Sequence, residues 1–228
     1  SLDFVLAESL SARYTAQAGA FTCGGPTSPS YSIGAGNASE ASGGALGSRA
    51  ANIVTRQVYL DWMIPNTDIK IRMGQQLYRL PSSATASPVL DDTATGVVVA
   101  APLTDNFGLT GLWLRADSDF RRGKVSTAVN DTTDLFGLIG DVKGDGFQVQ
   151  PWVTVGLVGQ DSPKFGVGNG LPGNATAWWA GISGELTMFD PFRLTADFMY
   201  NNVDVDHTSN AKYFESDGWY AALGAEYK

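Results

Sequence analysis

The sequence predicts an all-β chain: an antiparallel, up-and-down transmembrane β-barrel wall with about ten to eleven strands. Three observations predict it. Apolar and polar residues alternate with period two over runs of roughly 10–14 residues. Short turns and long loops take strict turns along the chain. Aromatic residues gather near both ends of the runs.

The runs come in hairpins. A stub at 2–6 turns at Ala7-Glu8-Ser9 into 10–20, where Leu10, Ala12, Tyr14 and Ala16 alternate with Ser11, Arg13, Thr15 and Gln17. In RQVYLDWMIPNTDIKIRMGQQLY, Val58, Leu60, Trp62 and Ile64 take every second place before Pro65-Asn66-Thr67. Ile69, Ile71 and Met73 then interleave with Lys70 and Arg72, so 52–64 and 68–78 read as one hairpin. The pair 94–103 and 107–116 follows around Thr104-Asp105-Asn106, its faces less distinct. Gly144-Asp145-Gly146, a strong turn signal, joins 134–143 to 147–160. Phe189-Asp190-Pro191 joins 175–188 to 192–203, and 217–228 closes the series. The intervening segments 21–51, 79–93, 117–133, 161–174 and 204–216 are the long loops. A meander of this kind puts every short turn at one end and every long loop at the other, the asymmetry of an outer-membrane barrel. No repeat beyond the hairpin and no linker divides the chain, so 1–228 is expected to form part of a single β-barrel domain.

Composition bounds the function. Charged residues make up 17 % of the 228, below the usual quarter of a soluble domain. The 15 basic residues are scattered and the formal charge is −8, so no nucleic-acid partner is expected, because a phosphate-binding surface needs clustered Lys and Arg. The single cysteine, Cys23, permits no internal disulfide. No apolar run approaches the ~20 residues of a spanning helix, which leaves strands of ~9–11 residues as the way across a bilayer. No charged segment with an apolar core opens the chain, so any signal peptide is expected to have been removed.

Alternation alone does not say which face is wet. A soluble secreted β-sandwich, binding glycans through its Trp residues, uses the same pattern with apolar side chains inward. Long strands, oily faces without clear size pairing, and two aromatic levels favour lipid outside and water inside. Trp62, Phe107, Phe147 and Phe192 are then the girdle near the short turns, and Trp178, Tyr200 and Trp219 that near the long loops. Arg13, Asp61, Lys70, Arg72, Arg115, Glu185, Arg193, Asp197 and Glu226 are the expected pore-lining residues, since Lys or Arg at the lipid midplane costs ~2–4 kcal/mol.

The stretch NIVTRQVYLDWMIPNTDIKIRMGQQ, followed by LPSSATASPVLDDTATGVVVAAPLTDNFGLTGLWLR, resembles the outer-membrane homotrimeric porins of sulfate-reducing bacteria. AESLSARYTAQAGAFT is similar to the preceding strand-turn-strand of that family. The resemblance covers 2–143 well and the rest loosely. It implies a homotrimer of larger barrels of about sixteen strands. These sit in the bacterial outer membrane among lipid and lipopolysaccharide and pass small hydrophilic solutes and ions passively. Family members are longer, and the terminal aromatic of exported barrels is replaced here by Lys228, so the resemblance is to a fragment lacking strands at both ends. It also implies a loop folded into the lumen. That loop is 79–93, with Arg79, Asp91 and Asp92 as constriction residues facing the basic wall. The alternative is that Asp91-Asp92 simply starts the next strand.

No catalytic set is legible. His207 lies alone in VDVDHTSN, so zinc, haem and Ser-His-Asp chemistry have no partner for it. Asp204, Asp206 and Asp217, or Asp131 and Asp134, are candidates for calcium in external loops but lack EF-hand spacing. GVGNG lacks the Lys-Ser/Thr of a phosphate loop. Glu185 and Asp197 read as wall lining rather than a glycosidase pair. The expectation is a channel with no enzyme activity and no cofactor.

Overall fold

In the computed structural model, which describes residues 1–18, 53–118, 132–159, 174–206 and 216–227, eleven strands form one antiparallel sheet in sequential order. They are β1 (Leu2–Ala7), β2 (Leu10–Ala18), β3 (Ile53–Met63), β4 (Lys70–Arg79), β5 (Asp91–Thr104) and β6 (Phe107–Ser118). Then come β7 (Thr132–Gly144), β8 (Phe147–Val158), β9 (Ala175–Phe189), β10 (Phe192–Val205) and β11 (Ser216–Tyr227). Every hydrogen-bonded pairing is between chain neighbours, which is the up-and-down meander. Among the described residues β1 and β11 are unpaired edges, so the wall is not closed. The two-sheet sandwich is not what the chain forms. The strands lie in one sheet, and the longest reaches 15 residues, where sandwich strands run ~5–6.

Register sorts the side chains. On one face the pairs Leu60↔Met73 and Trp62↔Ile71 continue as Val97↔Trp113, Trp113↔Phe136, Phe136↔Val155 and Val155↔Trp178. The same face carries Ile182↔Phe198 and Phe198↔Ala221. Its large apolar side chains are half-buried, as at Ile71, Met73 and Val97, or exposed, from Phe147 at 36 % to Leu223 at 87 %. On β10 this row runs from Phe192 to Tyr200, eight steps or about 26 Å along the strand. With a barrel tilt near 40° that is about 20 Å of height, close to the ~25 Å apolar band of a membrane barrel. Trp62, Phe107, Phe147 and Phe192 sit on this face at the short-turn end. Trp178, Tyr200 and Trp219 sit on it at the long-loop end, where Trp178 and Tyr200 pack with ring centroids 5.4 Å apart.

The opposite face is concave. A segment leaving β4 touches β9, β10 and β11 on this face, which only a curled sheet allows. The short turns hold that curl together. Asn66 (φ 60°) and Gly146 (φ 72°) adopt the left-handed backbone of tight turns. The Gly146 carbonyl accepts from Thr187 N–H at 2.8 Å, tying the β7–β8 turn to β9.

Replacing Phe198, exposed at mid-row, by Arg puts a cation where the face is apolar. In lipid vesicles Phe198→Arg is expected to cost about 2–4 kcal/mol of urea-unfolding stability. An unchanged midpoint would mean that this face does not meet hydrocarbon.

Candidate functional site

The concave face has two zones. Near the short turns it is ionic, and the register places acids opposite bases on adjacent strands. Arg13 on β2 meets Asp3 on β1, Nε to Oδ1 2.6 Å. Arg72 on β4 holds Asp61 on β3 with two bonds of 2.6 and 2.7 Å, while its guanidinium lies 4.1 Å from the Tyr59 ring centroid. Gly74 opposes Tyr59 at φ 131°, where an added Cβ would lie 2.3 Å from the Val58 carbonyl; only glycine lets the two strands close there. Lys70 shares this face beside the Asp61–Arg72 pair. Across the sheet, Asp141 accepts from Lys143 Nζ at 2.7 Å and Gln148 Nε2 at 2.6 Å. Arg193 donates to Glu185 at 2.7 and 2.8 Å and to Glu226 at 3.2 Å. Half-exposed pairs of this kind contribute ~0–1 kcal/mol each, so their effect is on the potential of the wall rather than on stability.

Nearer the long loops the same face is apolar. Val98, Leu112, Leu114, Leu135, Ile139, Trp152, Ala177 and Trp179 are buried there, and the segment Leu80–Leu90 lies over them. Leu80 and Leu90 enter that cluster at 0 % and 6 % exposure, and Leu80 N–H donates to Leu90 O at 3.0 Å, pinching the base of the loop. Burying each leucine contributes about 1.5–3 kcal/mol. The tip is held by one carboxylate. Asp197 accepts from Ser82 Oγ (2.8 Å), Ser83 N (2.8 Å), Ala84 N (2.9 Å) and Ser183 Oγ (2.7 Å). Ser83 Oγ and Ser183 Oγ lie 2.7 Å apart, and Thr85 Oγ1 and Tyr220 Oη 2.8 Å apart. Gln76 Nε2, Ser87 Oγ and Thr154 Oγ1 are buried without a partner among the described residues.

Several expected site residues lie elsewhere than expected. Arg115 is on the convex face, level with the aromatic end, where it pairs with Asp134 at 2.8 Å and lies 5.9 Å from the Trp113 ring. Its parity with Trp113 and Phe107 settles this, a point hidden in the sequence because both faces of that strand are apolar. Arg79 and Asp91 oppose each other at the ends of β4 and β5, bonded at 2.8 Å on the convex side. Asp91 and Asp92 therefore begin β5, as the alternative reading had it, with Asp91 on the convex side and Asp92, opposite Tyr78, on the concave side. Arg79 is also seven residues, about 23 Å, along β4 from Arg72. The segment that does enter the lumen, LPSSATASPVL, carries no charge at all. Sequence reading took Asp197 for ordinary lining and missed its grip on Ser82-Ser83-Ala84. Among the described residues no three of His, Cys, Asp and Glu gather to hold a metal ion; Cys23, Asp131 and His207 lie outside the described residues.

No family model matches the chain, and no curated protein matches it. Among solved structures it is similar to OmpT (in-vitro folded), an outer membrane protein of Vibrio cholerae. The identity is 13 % and the TM-score 0.45, over 99 % of this chain and 72 % of that one.

Asp197→Ala strands two part-buried N–H groups and frees the tip. The expected loss is about 3 kcal/mol in unfolding, with new protease cleavage inside Leu80–Leu90 of the folded protein; Asp197→Asn keeps one acceptor and loses less. A loop that stays protected in both variants would show that the apolar seat alone holds it.

Proposed function

We propose that this chain is the wall of a porin: a water-filled channel in the bacterial outer membrane for passive diffusion of small hydrophilic solutes and ions. The observation that carries the reading is the inversion of faces. Apolar side chains are exposed on the convex side over a membrane-sized height, while ion pairs line the concave side. Water on the concave side suits half-exposed charges such as Arg193 and Glu226, at 34 % and 61 % side-chain exposure. A segment folded over the concave face narrows the path, and a trimeric assembly is part of the same proposal. The mechanism asks no group to make or break a bond. The wall supplies a hydrated route, and its dimensions and potential filter what enters.

Purified protein in planar bilayers is expected to give stepwise, ohmic conductance, and an unboiled sample in SDS to run as a compact trimer band that heat converts to monomer. A membrane that stays silent at high protein load would count against the channel; a monomer band alone would count against the trimer.

A further inference from the structure

We infer that the channel discriminates poorly by charge and that its preferred solutes are uncharged and hydroxylated, of sugar size. This rests on the porin reading and names its substrate class. The first observation is the loop itself: over Leu80–Leu90 it contains four hydroxyl residues and no ionisable one. The carboxylate beneath it, Asp197, is only 8 % exposed and its oxygens are turned to four donors of the protein, so a passing ion does not bind it directly. The second is the balance of the wall. Among the described residues of the ionic zone, Asp3, Asp61, Asp141, Glu185 and Glu226 face Arg13, Lys70, Arg72, Lys143 and Arg193, five against five, with each acid bonded to a base. The third is where excess acid lies. Each of the five short turns carries one (Glu8, Asp68, Asp105, Asp145, Asp190), at the mouth, and among the described residues the concave face adds Asp92 at the long-loop end of β5. At physiological salt the field of such mouth charges decays over ~8 Å.

What the loop offers at the water is exposed Thr85 paired with half-buried Tyr220. Thr85 Oγ1 donates to Ala86 O at 3.1 Å, so Tyr220 donates to Thr85 and both hydroxyls retain acceptor capacity, while the Tyr220 ring adds an apolar face. A hydroxyl pair beside an aromatic ring suits a sugar, whose ring has hydroxyl edges and C–H faces. It offers nothing that distinguishes a cation from an anion.

The test uses the whole protein in planar bilayers under a KCl gradient, with liposome swelling in glucose against glucuronate. The expected K+/Cl− permeability ratio is within about threefold of one. Glucose is expected to enter at least as fast as glucuronate, whose size is similar. Thr85→Asp should raise the ratio about fivefold, since one carboxylate a few ångströms from the ion path suffices for that. Tyr220→Ala should slow glucose relative to its effect on KCl conductance. A wild-type ratio beyond about tenfold in either direction, faster glucuronate, or a Thr85→Asp variant with an unmoved reversal potential overturns the inference while leaving the porin standing. A silent membrane overturns both.

Discussion

The fold depends on the pleat of the strand combined with a sheet whose convex side is apolar and whose concave side carries the ion pairs. Successive side chains on a strand point to opposite faces, so a meander in register sorts its residues into two continuous surfaces. The convex surface here is oily over some 20 Å of height, by the tilt of a barrel wall. The strands are long and joined only to their chain neighbours, so each backbone group between the two edge strands finds its partner in the next strand of the meander. A one-residue slip in any hairpin would exchange the surfaces, putting Arg72 in the oil and Met73 in the bore.

The concave surface is not uniformly wet. Its half near the short turns carries the ion pairs, and its half near the long loops is a packed apolar seat filled by Leu80–Leu90. The loop thus acts as a small core inside the barrel wall. It also joins β4 to β9, β10 and β11, strands otherwise linked only through the intervening ladder. Hydrophobic burial holds the base of the loop, and Asp197 fixes its tip by accepting four hydrogen bonds. The same contacts that narrow the lumen therefore set the curvature of the sheet.

How much of this was legible follows from burial. Where one face meets oil and the other water, as in 52–64 and 192–203, alternation is clean and strand, hairpin and face could all be read. Where both faces are covered, as in GVVVAAPL and LTGLWLR, the alternation disappears, because the inner positions Val98, Leu112 and Leu114 lie under the loop. That loss of pattern was itself the signal for an internal apolar seat, and its neglect misplaced Arg115 to the bore. The boundary of the lumenal loop was set too wide for a related reason. Two adjacent acids look like a solvated loop, yet Asp91 and Asp92 are the first rungs of β5, fixed by Arg79 and by the pinch between Leu80 and Leu90. The Asp197 latch joins residues more than a hundred positions apart, and no local spacing announces it.

A spin-label scan of residues 194 to 200 on β10, in lipid bilayers, tests the sorting of faces most directly. Each position is labelled through an introduced cysteine and read for collision with oxygen against a water-soluble nickel chelate. The account predicts that 194, 196, 198 and 200 favour oxygen, as sites in hydrocarbon do, and that 195, 197 and 199 do not. A flat profile, or one with the two sets exchanged, would contradict it.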